Sequence, residues 1–317
     1  MTPTDTPLLA GRLVTVDDAL GPRRSRFFGE GFKRVTHRLD GIAVAPEPEE
    51  GGTVAAVAGL VLPANWSRKG VAEQPPHLST IDAMVFAAQL AGLYLAHTHG
   101  LGGADRFRVR RMALRAGNRP QEDRLDRFAV RAEHLGTEPG DPAVSRFDCR
   151  IGALTAVLAV EHGGEAVPAL PPGRYRNPAA LSGPWNTAPF GASHHGRTQI
   201  LSDVAVDMDA LRADADLALA PGTADATMID LFVAALQLGQ VLLYRLDGIE
   251  RAASNTLWMR RTVIEPAARP SGRFTTALEN ERRLDTAAGT WRSADVVAAH
   301  SGLALRCSVA HLLPAGG

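Results

Sequence analysis

Hydrophobic positions are concentrated in two similar stretches of the chain, residues 81–95 and 229–243. Aligned at an offset of 148 residues (229 − 81), the stretches are identical at 7 of 15 positions. Apolar bias alone explains the shared Val, Ala and Leu. It does not explain an Asp and a Gln that recur seven residues apart in both stretches. Self-similarity of this kind indicates a repeated structural unit, so we interpret the chain as a tandem duplication.

Both stretches have the pattern of a helix buried on all sides. Each begins with Ser/Thr-x-x-Asp, at Ser79–Asp82 and at Thr227–Asp230, a variant of the capping box that opens a helix. Apolar residues then occupy nearly every helical face, which predicts burial all round rather than packing on a surface. Neither stretch reaches the length that spans a bilayer.

Alternating patterns and turn clusters predict strands around both helices. The predicted strands are residues 35–44, 106–115, 125–134 and 144–160 in the first half and 198–206, 256–264, 272–282, 290–298 and 303–312 in the second. An antiparallel sheet curled around one apolar helix is the hotdog fold. A doubly wound sheet would instead need several amphipathic helices in each half.

We therefore predict the α+β class with a double hotdog that forms an internal pseudo-dimer. The expected divisions are an N-terminal unit at residues 1–162, a Pro-rich crossover at 163–189 and a C-terminal unit at 190–317.

Composition narrows the possible partners and location. Lys+Arg and Asp+Glu are equal at 34 each among 317 residues, so no global charge favours nucleic acid or an anionic membrane. Two cysteines are too few for a disulfide framework or a Cys-rich zinc site. The N-terminal residues lack the layout of a signal peptide. We expect a cytoplasmic protein that is a monomer, as an internal pseudo-dimer, or a homodimer.

Asp82 and Asp230 are the first candidate catalytic residues. A carboxylate at the start of a buried helix can act as general base or acid if it lines a substrate tunnel. Each Asp can equally be only the acidic half of its capping box. Gln89 and Gln237 lie two turns further on and could bind a substrate oxygen or a carbonyl of the sheet.

His37, His194 and His195 are the candidate proton shuttles. The helix of one hotdog unit faces strands of the other in a paired arrangement. This predicts Asp82 with His194 or His195, or Asp230 with His37. The alternative is that these are ordinary, partly exposed strand histidines. No Cys/His cluster has the spacing of a metal site, and no phosphate loop or nucleophile elbow occurs, so we expect neither metal nor cofactor.

Several charged residues are candidates for substrate binding. Arg111 and Arg261 belong to Arg-Arg pairs on equivalent predicted strands, where one Arg of each pair could face inward. Glu30 and Arg34 lie in a charged segment before the first strand. These side chains could bind a phosphate or carboxylate, meet an acidic carrier protein, or form a solvated surface.

Residues 26–34 (Arg-Phe-Phe-Gly-Glu-Gly-Phe-Lys-Arg), the two Ile-Asp helices with their Gln and the chain length resemble the avirulence protein D family. That family is associated with syringolides, which are built from a β-ketoacyl chain and a pentulose. The layout is also similar to double-hotdog proteins of the A-factor-synthase type. This similarity implies transfer of a β-ketoacyl group from an acyl carrier protein onto dihydroxyacetone phosphate.

The resemblance implies an acyltransferase-like enzyme of secondary metabolism. It would transfer or condense a β-ketoacyl group from an acyl thioester of carrier protein or coenzyme A. The acceptor would be a ketose or triose phosphate, and the product a syringolide-, butenolide- or butyrolactone-like signal. Two alternatives stay open: a dehydratase, hydratase or thioesterase acting on an acyl thioester, and a non-catalytic acyl-ligand-binding protein.

Overall fold

The structure is a computed structural model, and it describes residues 12–47, 51–101, 107–117, 119–163, 170–182, 193–222, 225–268 and 272–314. Its helices are α1 (Asp17–Leu20), α2 (Thr80–His99), α3 (Ala179–Ser182) and α4 (Met228–Leu246). Short helical turns cover Arg23–Ser25, Phe27–Gly31, Phe32–Arg34, Ser193–Gly196 and Arg251–Ala253.

Sixteen strands are present in the described residues. They are β1 (Leu13–Thr15), β2 (Thr36–Ala45), β3 (Thr53–Val61), β4 (Arg68–Lys69), β5 (Ala72–Glu73), β6 (Phe107–Arg115), β7 (Phe128–Glu138), β8 (Asp141–Ile151), β9 (Leu154–His162), β10 (Gly173–Tyr175), β11 (Thr198–Asp207), β12 (Arg212–Ala220), β13 (Trp258–Pro266), β14 (Phe274–Thr286), β15 (Gly289–His300) and β16 (Leu303–Leu312).

Two units of the same topology form the molecule. The first has strand order β2-β3-β7-β8-β9-β6 with α2 between β3 and β6 in the chain. The second has order β11-β12-β14-β15-β16-β13 with α4 between β12 and β13. All described pairings within the units are antiparallel. The predicted double hotdog is confirmed, because each unit is one antiparallel sheet around one long helix.

The long helices are buried as their all-round apolar pattern predicts. In α2, 17 of 20 residues are buried, and in α4, 17 of 19. Burial at this level excludes a surface helix, since such a helix would expose a polar face. The expectation that neither helix reaches spanning length is wrong for α4, which extends to 19 residues and has the hydropathy of a membrane-spanning helix, but 89% of its most apolar window is buried inside the protein.

The two units join edge to edge into one 14-stranded sheet. β6 pairs antiparallel with β13, where Leu114 lies opposite Thr262. The outer edges are exchanged: β1, which precedes the first unit in the chain, pairs with β11 of the second. β10, which precedes the second unit, pairs with β2 of the first.

The exchange bears on the predicted division of the chain. Strand β10 lies inside the predicted crossover 163–189, of which residues 164–169 and 183–189 lie outside the described residues. The boundaries at 162 and 190 stay a prediction.

Two details of the predicted strands are wrong. The predicted strand 144–160 is two strands, β8 and β9, joined by a tight turn in which Gly152 has φ of +55°. The repeated unit also has two strands before its helix, because β3 and β12 were not predicted. Both are rich in Ala, which has low strand propensity and weakens an alternating pattern.

Candidate active site

Asp82 combines the capping and the candidate catalytic roles that the sequence left open. Its Oδ2 accepts hydrogen bonds from the backbone N–H of Ser79 at 2.8 Å and the Ser79 hydroxyl at 2.7 Å, which completes the capping box of α2. Its Oδ1 lies 2.7 Å from Nε2 of His37, at the start of β2. The side chains of His37 and Asp82 are only 3% and 2% exposed, so this pair is shielded from water.

Asp230 has the same capping role in α4 but different partners. Thr227 completes its capping box. The Arg197 guanidinium donates to Asp230 Oδ2 from Nε at 2.8 Å, and the Gln199 amide donates to Oδ1 at 2.7 Å. Burial raises the pKa of Asp230, but the hydrogen bonds from Arg197, Thr227 and Gln199 outweigh it and hold the pKa below its ordinary value. Asp230 is therefore a poorer base than an ordinary Asp.

Gln199 is the counterpart of His37. The β2–β3 ladder has a bulge after Asp40, and the β11–β12 ladder has one after Ser202, an offset of 162 residues (202 − 40). The same offset relates His37 to Gln199 (199 − 37), and both side chains bind the Asp at the start of their own helix. Among the described residues, a His–Asp pair at the helix start is therefore present in the first unit, and a fixed Gln–Asp–Arg cluster takes its place in the second.

The predicted pairing across the units is wrong. Asp82 binds His37 of its own unit, and Asp230 binds neither His37 nor any other histidine among the described residues. The helix start faces the neighbouring strand of its own sheet, which the all-round apolar pattern could not reveal.

His194 and His195 lie beside His37 rather than on either Asp. The rings of His37 and His194 are 5.8 Å apart between centroids, and those of His194 and His195 are 4.2 Å apart. Burial, followed by the neighbouring His37, lowers the pKa of His195.

One ring nitrogen from each of these three histidines lies within 4.8 Å of the others, so they are the described residues best able to hold a metal. Tetrahedral zinc needs its nitrogen ligands about 3.4 Å apart. A separation of 4.8 Å is longer than zinc needs, so nitrogens that far apart would have to move closer together to hold the ion.

A cavity of about 330 Å³ opens at the start of α2, between the two units. Ser79, Thr80 and Ile81 line it, together with the β6–β7 loop. The second unit contributes Phe232 and Gln240 from α4 and a wall formed by Arg251 and residues 255–259. The aromatic side chains of Trp66, Trp258 and Trp291 make much of the lining apolar, as expected for a ligand pocket.

The cavity reaches the Asp82–His37 pair through Ser79. Neither Asp82 nor His37 lines the cavity, but Ser79 does, and its hydroxyl donates to Asp82. The first amides of α2, on Thr80 and Ile81, have no hydrogen-bond acceptor within the described ranges, as geometry requires at a helix start. The cavity therefore meets free amides, the positive end of a helix dipole and a hydroxyl bound to a buried carboxylate.

The predicted substrate-binding side chains do not line this cavity. Gln237 accepts a hydrogen bond from buried Arg26 at 2.8 Å, whereas the Gln89 amide has no hydrogen bond to a described residue. Glu30 pairs with Lys33. Arg34 donates to the carbonyls of Arg24 and Asn65.

The two predicted strand arginines are half-exposed or exposed at the junction of the units. Arg111 pairs with Glu265 at 3.1 Å across the β6–β13 boundary, and exposed Arg261 forms no ion pair with a described residue. Their assignment as binding residues, like that of the candidate catalytic set, stays a prediction.

Three residues of the site were not identified from the sequence. Ser79 was recognised only as a cap, and Gln199 and Arg197 were not considered. An alignment of residues 28–37 with 190–199 at the 162-residue offset would have matched His37 with Gln199. The helices repeat at an offset of 148 instead, because loop lengths differ between the halves, so the helix register does not match these two residues.

Known proteins with related structures share little sequence with this chain. A tesB protein of Mycobacterium avium subsp. paratuberculosis is 12% identical, with 82% of this chain and 93% of that chain covered and a TM-score of 0.38. A pyran synthase domain of the sorangicin pathway is 16% identical, with 86% and 97% covered and a TM-score of 0.39. An acyl-ACP thioesterase of Bacteroides thetaiotaomicron is 9% identical, with 88% and 99% covered and a TM-score of 0.34.

No curated protein matches the sequence. The Pseudomonas avirulence D protein family matches residues 12–314, which is nearly the whole described chain. The resemblance inferred from residues 26–34 and the paired helices is thereby confirmed, and the chain belongs to the avirulence D protein (AvrD) family.

Proposed function

We propose that this protein is an acyl-thioester enzyme that transfers a β-ketoacyl group onto the hydroxyl of a small acceptor, and that the first unit carries the chemistry. One observation carries the proposal: the start of α2 lines the cavity, and Ser79 connects that cavity to the Asp82–His37 pair. The second unit has no equivalent base, since Asp230 is fixed by Arg197 and Gln199.

The acyl group would bind with its thioester carbonyl against the first turn of α2. The free amides of Thr80 and Ile81 can donate to the carbonyl oxygen, and the helix dipole favours the negative charge that develops on it. The aromatic side chains that line the cavity, among them Trp66, Trp258 and Trp291, would hold the acyl chain.

The acceptor hydroxyl would be activated through Ser79. Its oxygen attacks the thioester carbonyl carbon while its proton passes to Ser79 Oγ, whose own proton moves to Asp82 Oδ2. The C–S bond then breaks, and the thiolate takes the proton back by the same route. His37 holds the other carboxylate oxygen and orients it, so it acts as a positioning residue.

The test is to incubate the protein with a β-ketoacyl thioester, with and without dihydroxyacetone phosphate or xylulose, and to follow thiol release and product mass. Acceptor-dependent thiol release with an acyl-acceptor product supports transfer. Acceptor-independent release would show a thioesterase. Loss of water from a 3-hydroxyacyl thioester would show a dehydratase, and binding without turnover would show an acyl-binding protein.

The same assay on two matched variants tests the assignment to the first unit. We expect Asp82→Asn to lower the transfer rate by at least about 100-fold, as loss of a general base does. Asp230→Asn should leave the rate per folded molecule within about threefold of wild type. Equal losses in both variants, with both folded, would contradict the assignment.

A further inference from the structure

The cavity between the units has an excess of positive charge. Arg26, Lys69, Arg119 and Arg251 line it, whereas Glu122 is the one acidic residue of its lining in the described part of the chain. Exposed arginines at a cavity rim are common. Only the cations that lack a carboxylate partner add to the positive charge that a ligand would meet.

Arg26 does not contribute to the excess. Its guanidinium is paired with Asp17 and bound to the Gln237 amide oxygen. Arg119 is exposed at the rim, where water and salt screen its charge. Lys69 and Arg251 are the cations that remain, and they lie on two segments that pack together, strand β4 and the turn Arg251–Ala253.

Lys69 is buried with neutral partners only. Its ammonium donates to the carbonyl of Ser254 at 3.2 Å, to the Ser254 hydroxyl at 3.0 Å and to the carbonyl of Asn255. Lys69 as a whole residue is 8% exposed. Burial, followed by the positive charge of Arg251, lowers the pKa of Lys69 to about 7. A charged group at this position is incompletely compensated, which is costly unless an anion approaches.

Arg251 has free donors. Its guanidinium forms no ion pair and no side-chain hydrogen bond with any residue in the described ranges, although it is only partly exposed. Burial lowers its pKa as well. An arginine in a cavity wall, with its fork of N–H groups unused and a second positive charge beside it, matches the geometry that binds phosphate.

We propose that Arg251, supported by the charge of Lys69, forms a phosphate-binding subsite of this cavity. The inference rests on the proposed function for the identity of the ligand, since the phosphate would belong to one of its substrates. Two substrates could supply the same group: the phosphopantetheine arm of the donor or a phosphorylated acceptor. Binding at this subsite would anchor one end of the ligand while its reacting carbon lies at the start of α2.

Two pairs of probes that differ by one phosphate distinguish the sources. Acyl-4′-phosphopantetheine against acyl-pantetheine reports on the donor, and dihydroxyacetone phosphate against dihydroxyacetone reports on the acceptor. Dissociation constants are measured by calorimetry with the full chain. In one pair we expect the phosphorylated probe to bind at least about tenfold more tightly, because its hydrogen bonds are charge-assisted. The difference should shrink as salt rises.

Variants of Arg251 then assign the subsite. Arg251→Met should abolish the preference for phosphate, and Arg251→Lys should keep part of it, because the positive charge remains. Arg283→Met is the matched control: Arg283 is exposed on β14, outside the cavity, and should leave the preference unchanged. Equal binding of both probes in both pairs to wild type, or a preference that survives in Arg251→Met, would overturn the subsite.

Asp82→Asn separates this subsite from the proposed chemistry. It should bind the preferred phosphorylated probe as wild type does while turnover is lost. If the phosphate preference is present and depends on Arg251, but wild type turns over no acyl thioester, the subsite stands and the proposed function fails. If wild type transfers acyl groups with no phosphate preference, the function stands and the subsite fails.

Discussion

The two Asp residues at the helix starts share one capping role but bind different neighbouring side chains. Asp82 and Asp230 have the same capping geometry, and each has one further oxygen to satisfy. An imidazole nitrogen lies on Oδ1 of Asp82, whereas an amide and a guanidinium hold Asp230. The two helix starts therefore differ in His37 against Gln199 and Arg197.

His37→Gln tests this difference directly, because it installs in the first unit the side chain that the second unit has. The Gln amide can donate the same hydrogen bond to Asp82, so we expect the fold to be kept. The transfer rate should fall by about tenfold or more, because a Gln side chain holds the Asp82 carboxylate less precisely than the His37 ring does. Thiol release and circular dichroism on the same sample measure both. Unchanged turnover in a folded His37→Gln variant would show that the histidine has no part in the reaction.

A second group of histidines is buried at the other end of α2. The His134 ring stacks on Tyr94, and the Ser145 hydroxyl lies between Nε2 of His134 at 3.3 Å and Nε2 of His162 at 2.9 Å. Burial, followed by the charge of neighbouring histidines, lowers the pKa values of His99 and His134 to about 4.

This cluster makes stability depend on pH with a definite sign. The folded pKa lies below the unfolded value of about 6.5, so the unfolded chain binds more protons between these values. Stability is complete above about pH 6.5 and falls as the pH drops towards 4. We expect the urea midpoint to fall less over this range in His134→Phe than in wild type. Val144→Ala, which removes buried apolar atoms and no titrating group, should lower the midpoint by a similar amount at every pH.

At the scale of elements, the α4 start is a structural ion cluster. Asp230 is 1% exposed and Arg197 is 14% exposed, and the capping box of Thr227 depends on the same carboxylate. Removing one charge of a buried pair leaves the other uncompensated, which costs about 3–5 kcal/mol.

Asp230→Asn should therefore lower the free energy of unfolding by about 3 kcal/mol or more. Thr227→Ala, which removes the cap alone, should cost about 1 kcal/mol. Denaturant unfolding of the two variants measures both. A loss in Asp230→Asn no larger than that in Thr227→Ala would show that Arg197 adds nothing beyond the cap.

The helices could be predicted from sequence because their apolar residues and caps are local signals. The capping boxes at Ser79 and Thr227 are both present as predicted. The partners of the capping Asp could not be predicted, because they depend on the strand that lies beside each helix start. β3 and β12 were also missed, and without them the path of β2 and β11 past the helix starts could not be placed. The cavity depends on residues 66–78 and 251–255, whose sequences carry no regular pattern.

At the scale of the whole molecule, strand pairing joins the two units at their shared boundary and at both outer edges. The sheet is continuous through β6 and β13, and β1 and β10 each cover the edge of the opposite unit. We expect a single calorimetric transition in which the van't Hoff and calorimetric enthalpies agree. Two resolved transitions would mean that the β6–β13 pairing and the exchanged edge strands do not couple the units.

The exchanged edge strands have a consequence for how such a chain could arise. A single ancestral unit with the same leading strand would have paired this strand with the sheet edge of a second copy, forming a homodimer with two equal helix-start sites. Fusion of the two genes makes this strand exchange intramolecular. From then on each copy can drift separately, which a homodimer never allows. One helix start can keep a His–Asp pair, as Asp82 and His37 do, while the other changes to a structural ion cluster, as at Asp230.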